Sequence, residues 1–214
     1  MISMKHYKSE WNPEELRILK TLDSPNKIQG FLDTIDYNAI IETRSPRFVI
    51  QNRRAHCMEG ALFGSACLQF IGYPPLVLDL KAENDDDHVI AIFKWKGCWG
   101  AIAKSNFTTL RYREPVYRTL RELSMSYFDL YFNSLGEKTL RSYSLPQNLN
   151  RFNHLKWTTT EEDLDVIGDW LTAVKHIPLV TPEQVRNLDL TGDYLVKSSL
   201  IGSNPAGLYV PKKK

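Results

Sequence analysis

The pattern of apolar and polar positions in the middle of the chain predicts a buried helix followed by three strands. Residues 57–71 carry small or apolar side chains at most positions, which is typical of a helix covered on most of its sides. Gly72 and the prolines after it end that helix and force an extended exit. Strands are then expected at residues 76–80, 88–95 and 98–105. Lys96 and Gly97 form a plausible tight turn between the last two strands.

Helical patterns flank this middle part on both sides. Upstream, Asn12-Pro13 and Ser24-Pro25 each place a capping residue before a proline, which predicts two short helices, the second over residues 25–35. Downstream, helices are predicted over residues 116–133 and 161–175, with a shorter one from Pro182. The last twenty residues have an irregular pattern. Strands grouped between helices indicate an α+β fold with helical N- and C-terminal extensions.

Length and composition fit a single globular domain over residues 1–214. The chain is 43% apolar and 24% charged, with 11 glycines and 11 prolines, which excludes disordered, collagen-like and coiled-coil proteins. It lacks the run of about eighteen apolar residues that crosses a bilayer and the apolar core of a secretory signal. We therefore expect a cytoplasmic protein that binds no membrane. A net charge of only +2, with dispersed basic residues, gives no indication of nucleic-acid binding.

The three cysteines predict neither a disulfide framework nor a zinc site, because their spacing contains no C-x-x-C pair. Cys57 stands at the predicted start of the buried helix, with Arg53 and Arg54 just upstream. Backbone N–H groups and the helix dipole would lower the pKa of a thiol there, which favours a nucleophilic role. The alternative is a cysteine that serves as a small buried apolar residue.

His88 opens the second predicted strand and follows an acidic loop at residues 83–87. On an alternating strand it shares a face with Ile90 and Ile92, and the nearby carboxylates would favour its protonated form. The alternative is a hydrogen-bonded structural histidine at a sheet edge. The acidic run could also bind a hard cation, but a solvated loop is the simpler interpretation, and no metal site or cofactor is predicted.

The order of these segments resembles the transglutaminase-like superfamily, a papain-fold group that includes transglutaminases and peptide N-glycanases. Its members have a cysteine at a helix start, a small-residue helix, a Gly-x-Pro exit and a strand. A histidine-led strand, a glycine turn and a tryptophan-containing strand ending in Asp or Asn follow. The resemblance spans residues 57–106, and the flanking sequences AHCMEGA and LRYREPVYRTLREL resemble a bacterial branch without an assigned activity. It implies a buried helix packed on an antiparallel sheet, with a core at about residues 45–135.

The third member of the implied catalytic triad depends on strand register. A two-residue turn would place Ser105 opposite His88. A turn one residue longer would pair Trp95 with Trp99 and place Asn106 there instead. An amide oxygen fixes the tautomer of an imidazole better than a rotating hydroxyl does, so Asn106 is predicted as the orienting residue.

The resemblance implies a cysteine-dependent amide or peptide hydrolase, or a related acyltransferase, that forms a thioester at Cys57 and needs no cofactor. Gln51 lies six residues before Cys57, at the separation that papain-like enzymes use for an oxyanion-hole glutamine. The substrate would be a peptide or amide that the sequence does not identify, and the oligomeric state is not indicated. One alternative is a catalytically inactive interaction module with the same fold. Another is a structural protein that binds a partner through its helical flanks.

Overall fold

The protein is seen in a computed structural model that describes residue 7 and residues 9–212. Within these residues the strands are β1 (Asp36–Tyr37), β2 (Arg54–Ala55), β3 (Leu76–Ala82), β4 (His88–Trp95), β5 (Cys98–Ile102), β6 (Arg113–Tyr117), β7 (Leu140–Ser144), β8 (Gln147–Asn148) and β9 (His176–Pro178). The short strands β1 and β2 form a separate parallel pair. The other strands form one antiparallel sheet in the order β6-β5-β4-β3-β7-β9, with β8 also paired to β3.

Helices lie before, between and after these strands. They are α1 (Pro13–Thr21), α2 (Pro25–Asp33), α3 (Pro46–Asn52), α4 (Cys57–Phe70), α5 (Leu120–Phe128), α6 (Asp165–Ala173), α7 (Pro182–Arg186) and α8 (Asp193–Ser199). Short 3-10 helices cover Leu149–Leu155 and Pro205–Gly207. No helix among the described residues is long and apolar enough to cross a bilayer.

Successive side chains on the central strands point to opposite sides of the sheet. Helices cover both of these faces. One core lies between α4 and the sheet and includes Val89 and Ala91 of β4. The other lies under α5 and includes Ile90 and Ile92 of the same strand. The chain therefore has an α+β fold in which helices pack on an antiparallel sheet.

Two glycines let α4 approach the sheet closely. A Cβ atom on Gly64 would lie 3.0 Å from the Cβ atom of Ala91, and one on Gly60 would collide with the Cβ atom of Lys104. The helix backbone therefore packs directly against β4 and the end of β5. This close packing brings Cys57, one helical turn before Gly60, to the point where β4 begins.

Most of the central prediction is confirmed. Helix α4 and strands β3 and β4 lie where the sequence placed them, and Lys96 and Gly97 form the tight turn with positive φ values of 47° and 85°. The third strand ends earlier than predicted, at Ile102. Beyond it, the side-chain amide of Gln29 bonds both the N–H and the carbonyl of Ala103 and takes over the role of a neighbouring strand.

The predicted helix over residues 116–133 is wrong at both ends, since α5 covers only Leu120–Phe128. Residues 113–117 form β6, and α5 begins only at Leu120, where the Thr119 side chain caps it by accepting from the Glu122 N–H at 3.0 Å. Pro115 is tolerated in β6 because this strand lies at the edge of the sheet, where a missing N–H costs no ladder bond. The irregular stretch predicted at the end of the chain overlaps α8, and the sequence did not predict α3 or β7–β9.

Two helical glycines provide a test of the α4 packing. We expect Gly60→Ala to lower the free energy of unfolding by about 1–3 kcal/mol, because the new methyl group overpacks the contact with Lys104. Gly168 in α6 has open space around it, so Gly168→Ala should raise the free energy of unfolding by up to about 1 kcal/mol through helix propensity. Urea denaturation of both variants measures these changes. Changes of the same sign in both variants would argue against the close approach.

Candidate functional site

A buried carboxylate fixes the start of α4 and with it the position of Cys57. Glu59 is fully buried and accepts a hydrogen bond from the backbone N–H of His56 at 2.9 Å. It also accepts from the Arg44 N–H at 3.1 Å and from the Asn38 amide at 3.0 Å. These bonds tie the first turn of α4 to the segment that follows β1, so the helix begins at Cys57.

The Cys57 sulfur lies against the backbone at the start of β4, although the residue as a whole is only half-buried. The thiol points to the carbonyl oxygen of Asp87, 3.8 Å from the sulfur. Burial raises the pKa of the Cys57 thiol to about 12, and the negative charge of Asp86 acts in the same direction. The prediction of a lowered thiol pKa is therefore wrong, because desolvation of the thiolate outweighs the stabilisation that a helix N-terminus gives it.

His88 is buried with only 3% of its surface exposed, and it lies in the core under α5. Its ring makes edge-on contacts with Tyr127 and Tyr131, at centroid distances of 6.4 and 6.3 Å. Burial lowers the pKa of His88 to about 4; the nearby Arg113 charge acts the same way, while the hydrogen bond to Leu110 opposes it. The expectation that the acidic loop would keep this ring protonated is wrong, because burial disfavours the charged form.

A backbone carbonyl orients the His88 ring. The Nε2 atom lies 2.9 Å from the carbonyl oxygen of Leu110. A carbonyl only accepts, so Nε2 carries the hydrogen and donates it. In the neutral ring the lone pair then belongs to Nδ1. As predicted, His88 is on the face of β4 that also carries Ile90 and Ile92.

Cys57 and His88 both line one small cavity of about 40 Å³ at the end of the sheet. They reach it from opposite sides, because α4 covers one face of the sheet and the His88 ring packs on the other. Among residues 9–212, no hydrogen bond joins the sulfur to the ring. With pKa values of about 12 and about 4, both groups are neutral at pH 7, so the site holds a thiol and an imidazole rather than an ion pair.

Asn106 does not hold the His88 ring, and the register that would have placed it there is wrong. Trp95 pairs with Cys98, which is the register of the two-residue turn. Both polar atoms of the Asn106 side chain instead bond the backbone of Asn204: Nδ2 donates to its carbonyl at 2.8 Å, and Oδ1 accepts from its N–H at 2.7 Å. Leu110 takes the orienting position, which sequence reasoning missed because every residue carries a backbone carbonyl.

Gln51 is also far from its predicted role. It lies at the exposed end of α3, where its amide donates to Glu15 at 3.3 Å. The chain then turns at Arg53, which has a left-handed conformation (φ 52°), before it enters α4. The clefts that Gln51 lines do not include Cys57, so the prediction of an oxyanion-hole glutamine is wrong.

A second, more open groove of about 350 Å³ borders Cys57 from outside. Its walls come from the segment after β1, which includes Ile40 and Ile41, and from residues 206–209 near the end of the chain. Tyr37 and Cys57 line both this groove and the smaller cavity. A molecule bound in the groove would therefore lie beside the thiol, with His88 behind it.

The acidic loop beside the cavity is held in place by its own hydrogen bonds. Asp85 accepts from the hydroxyl of Thr139 at 2.7 Å, and Asp87 accepts from the Ala82 N–H at 2.7 Å. Burial raises the pKa of Asp85 to about 6. In the part of the chain that the structure describes, no three His, Cys, Asp or Glu side chains are arranged to hold a metal ion.

Sequence reasoning missed a second buried pair, Asp79 and His176. Their Oδ2 and Nε2 atoms are 2.9 Å apart, although the residues are 97 positions apart in sequence. The other ring nitrogen of His176 is 2.8 Å from the carbonyl of Val174. Burial raises the pKa of Asp79 to about 6, and the charge of Asp87 adds to this effect. Only the pairing of β3 with β7 and β7 with β9 brings this pair together.

The buried, neutral His88 has a consequence for stability. Its pKa falls from 6.5 to about 4 on folding, so the unfolded chain binds this proton more tightly. The contribution of neutral His88 to the free energy of unfolding is fully present above about pH 6.5 and is lost as the pH falls toward 4. We expect the wild type to lose up to about 3 kcal/mol of unfolding free energy over this range beyond the loss in His88→Gln.

Urea denaturation of both proteins at several pH values between 7 and 4 measures this difference. Asp79 and Asp85, whose pKa values are raised, contribute with the opposite sign in both proteins and largely cancel in the comparison. A difference that does not change with pH would contradict a buried, neutral imidazole.

Comparisons with known proteins add no identification. No family model matches the chain, and no curated protein matches it in sequence. The site is therefore argued from its own side chains: a thiol at a helix start, an imidazole at a strand start, and the cavity that both line. Membership of the transglutaminase-like superfamily stays a prediction from the sequence.

Proposed function

We propose that the protein is a cysteine-dependent amide or peptide hydrolase, or a related acyltransferase, with a transglutaminase-like core. Cys57 is the nucleophile and His88 is the base. The observation that carries this proposal is the cavity shared by the Cys57 thiol and the His88 ring. The order of α4, β3, His88-led β4 and β5 supports the same assignment, because it matches the order of segments in that superfamily.

The orientation of His88 suits it to act as a base. Because Nε2–H is held by the Leu110 carbonyl, the Nδ1 lone pair of the neutral ring is the position that can accept a proton. In papain-like chemistry an orienting group has the same task of fixing ring and tautomer. Here the backbone oxygen of Leu110 fixes the ring, and a substitution of the Leu110 side chain leaves this oxygen in place.

The neutral state of both groups determines how the reaction would begin. A thiol is a poor nucleophile, so transfer of its proton to Nδ1 must accompany the attack of sulfur on the carbonyl carbon. His88 then gives that proton to the leaving amine, and a thioester remains on Cys57. Water or a second amine attacks the thioester and gives its proton to His88, which passes that proton to the leaving sulfur and so restores the thiol. Protons and bonds balance over this cycle without a cofactor.

The developing oxyanion needs donors other than Gln51. The first backbone N–H groups of α4 have no partner within the helix, and that of Cys57 lies next to its own sulfur. The hydroxyl of Tyr37, which lines both the cavity and the groove, is the proposed second donor. Both donors come from segments that the Glu59 hydrogen bonds hold together.

The non-catalytic module is the second candidate, and one observation favours it. The Cys57 thiol already has an acceptor in the Asp87 carbonyl, and burial holds the pKa of that thiol at about 12. A cysteine in that environment resembles a structural residue more than an activated one. The two candidates differ in whether an acyl group can be placed on Cys57.

An acylation experiment separates them. With p-nitrophenyl acetate, we expect one equivalent of p-nitrophenolate per chain and an acetyl group on Cys57 that hydroxylamine removes. His88→Gln should slow the acylation by about 100-fold or more, because it removes the base. Cys98→Ala should leave the burst unchanged, since Cys98 lies at the far end of β5.

Mass spectrometry of the peptide that contains Cys57 locates the acetyl group, and circular dichroism confirms that each variant is folded. Acetyl transfer to Cys98 alone, or equal rates in the wild type and His88→Gln, would favour the non-catalytic module. An added amine that captures the acetyl group would indicate transfer in preference to hydrolysis.

A further inference from the structure

The end of the described chain passes over the proposed catalytic site. We call residues 204–212 the strap. Gly207 and Tyr209 of the strap line both the smaller cavity and the outer groove beside Cys57. Directly upstream, the end of α8 is held by Thr108, whose N–H donates to the Ser199 carbonyl at 2.8 Å. The strap therefore starts from a fixed point and then covers the thiol.

The first contact that holds the strap is Asn106. Its side-chain amide donates to the carbonyl of Asn204 and accepts from the N–H of the same residue, at 2.8 and 2.7 Å. This reciprocal pair copies the bonds that a neighbouring strand would make. It recognises backbone only, so any polypeptide segment could make the same two bonds.

Asn84 holds the other end of the strap in the same way. Its Oδ1 accepts from the N–H of Lys212 at 2.8 Å, and its Nδ2 donates to the carbonyl of Lys212 at 3.2 Å. Asn84 directly precedes Asp85, Asp86 and Asp87, so this end of the strap lies beside the acidic loop.

Between the two asparagines, the strap places a glycine against Tyr37. A Cβ atom on Gly207 would lie 2.5 Å from Cε1 and 2.9 Å from Cδ1 of the Tyr37 ring. A real side chain at that position would have to displace the ring or the strap. Tyr37 and Cys57 line the same cavity and the same groove, so the position that requires glycine is close to the thiol.

We propose that the path the strap follows beside Cys57, from Asn106 past Tyr37 to Asn84, binds polypeptide segments with a glycine at the position facing Tyr37. In the structure described here the chain's own strap occupies this path and forms one wall of the open groove. The reaction assigned to such a segment rests on the proposed function, whereas the binding does not. The strap must leave before another segment enters, so it limits access to the thiol.

The two backbone contacts can be removed without touching the strap itself. In the full chain, we expect Asn84→Ala combined with Asn106→Ala to raise the rate of Cys57 alkylation by iodoacetamide by about tenfold or more. Asn187→Ala is the matched control, because Asn187 bonds only a carbonyl near α7, and it should leave the rate unchanged. Mass spectrometry follows Cys57 separately from Cys67 and Cys98.

A peptide with the sequence of residues 202–212, GSNPAGLYVPK, tests recognition in the Gly207→Ala variant of the full chain, whose own strap is displaced and which keeps Asn84 and Asn106. It should restore slow alkylation of Cys57. The same peptide with the Gly207→Ala change should protect at least about tenfold less well, because its methyl group meets Tyr37. Unchanged alkylation in the double variant would overturn the role of the strap. Equal protection by both peptides would overturn the glycine requirement.

If circular dichroism shows that the double variant is unfolded, Gly207→Ala in the full chain gives the same measurement. It should speed alkylation, because the added methyl group pushes the strap from Tyr37; an unchanged rate would overturn the proposal. Alkylation and protection need no turnover, so they are independent of the acylation burst. Protection of Cys57 by the peptide without an acylation burst would support the binding of segments and contradict the proposed enzyme. An acylation burst with unchanged alkylation in the double variant would support the enzyme and contradict the role of the strap.

Discussion

The close packing of α4 on β4 and β5 is the constraint on which the rest of the site depends. Gly60 and Gly64 have no side chains to keep the helix away from Lys104 and Ala91. The backbone of α4 therefore rests on the sheet, and its first residue is carried to the start of β4. The buried Glu59 carboxylate adds the second condition, because its hydrogen bonds decide where the helix begins.

The same packing sets the protonation of the two reactive groups. Burial is the largest cause of both pKa shifts, upward for the Cys57 thiol and downward for the His88 ring, so each group is kept in its neutral form. An enclosed thiol of this kind is protected from chance alkylation and oxidation. In the proposed mechanism its proton moves only when a carbonyl carbon is in place for attack.

Asparagine side chains connect the proposed site with the segment that passes over it. Asn106 lies close to the position where a triad would need it, yet its amide bonds the backbone of Asn204. Asn84 repeats this pattern at Lys212. The strap that they hold contributes Gly207 and Tyr209 to the walls around Cys57 and so adds to its enclosure. Access to the thiol and the desolvation that keeps it neutral are thus linked through one segment.

The sequence by itself determined the elements whose signals are local. The small-residue helix after Cys57, the alternating strand after His88 and the turn at Lys96-Gly97 all follow from periodicity and backbone preference. These elements also indicated that a thiol and an imidazole would lie near each other. The α+β class followed from the order of the same elements.

Only the tertiary structure decided how these groups are used, because the deciding interactions join residues far apart and involve backbone atoms. The Leu110 carbonyl that orients His88 has no sequence signature, and a one-residue change of register moved Asn106 away from the ring. Burial reversed the expected direction of the Cys57 pKa shift, and burial depends on the packing of the whole folded chain. The strap, 98 residues from Asn106 at its first contact, was likewise beyond any local pattern.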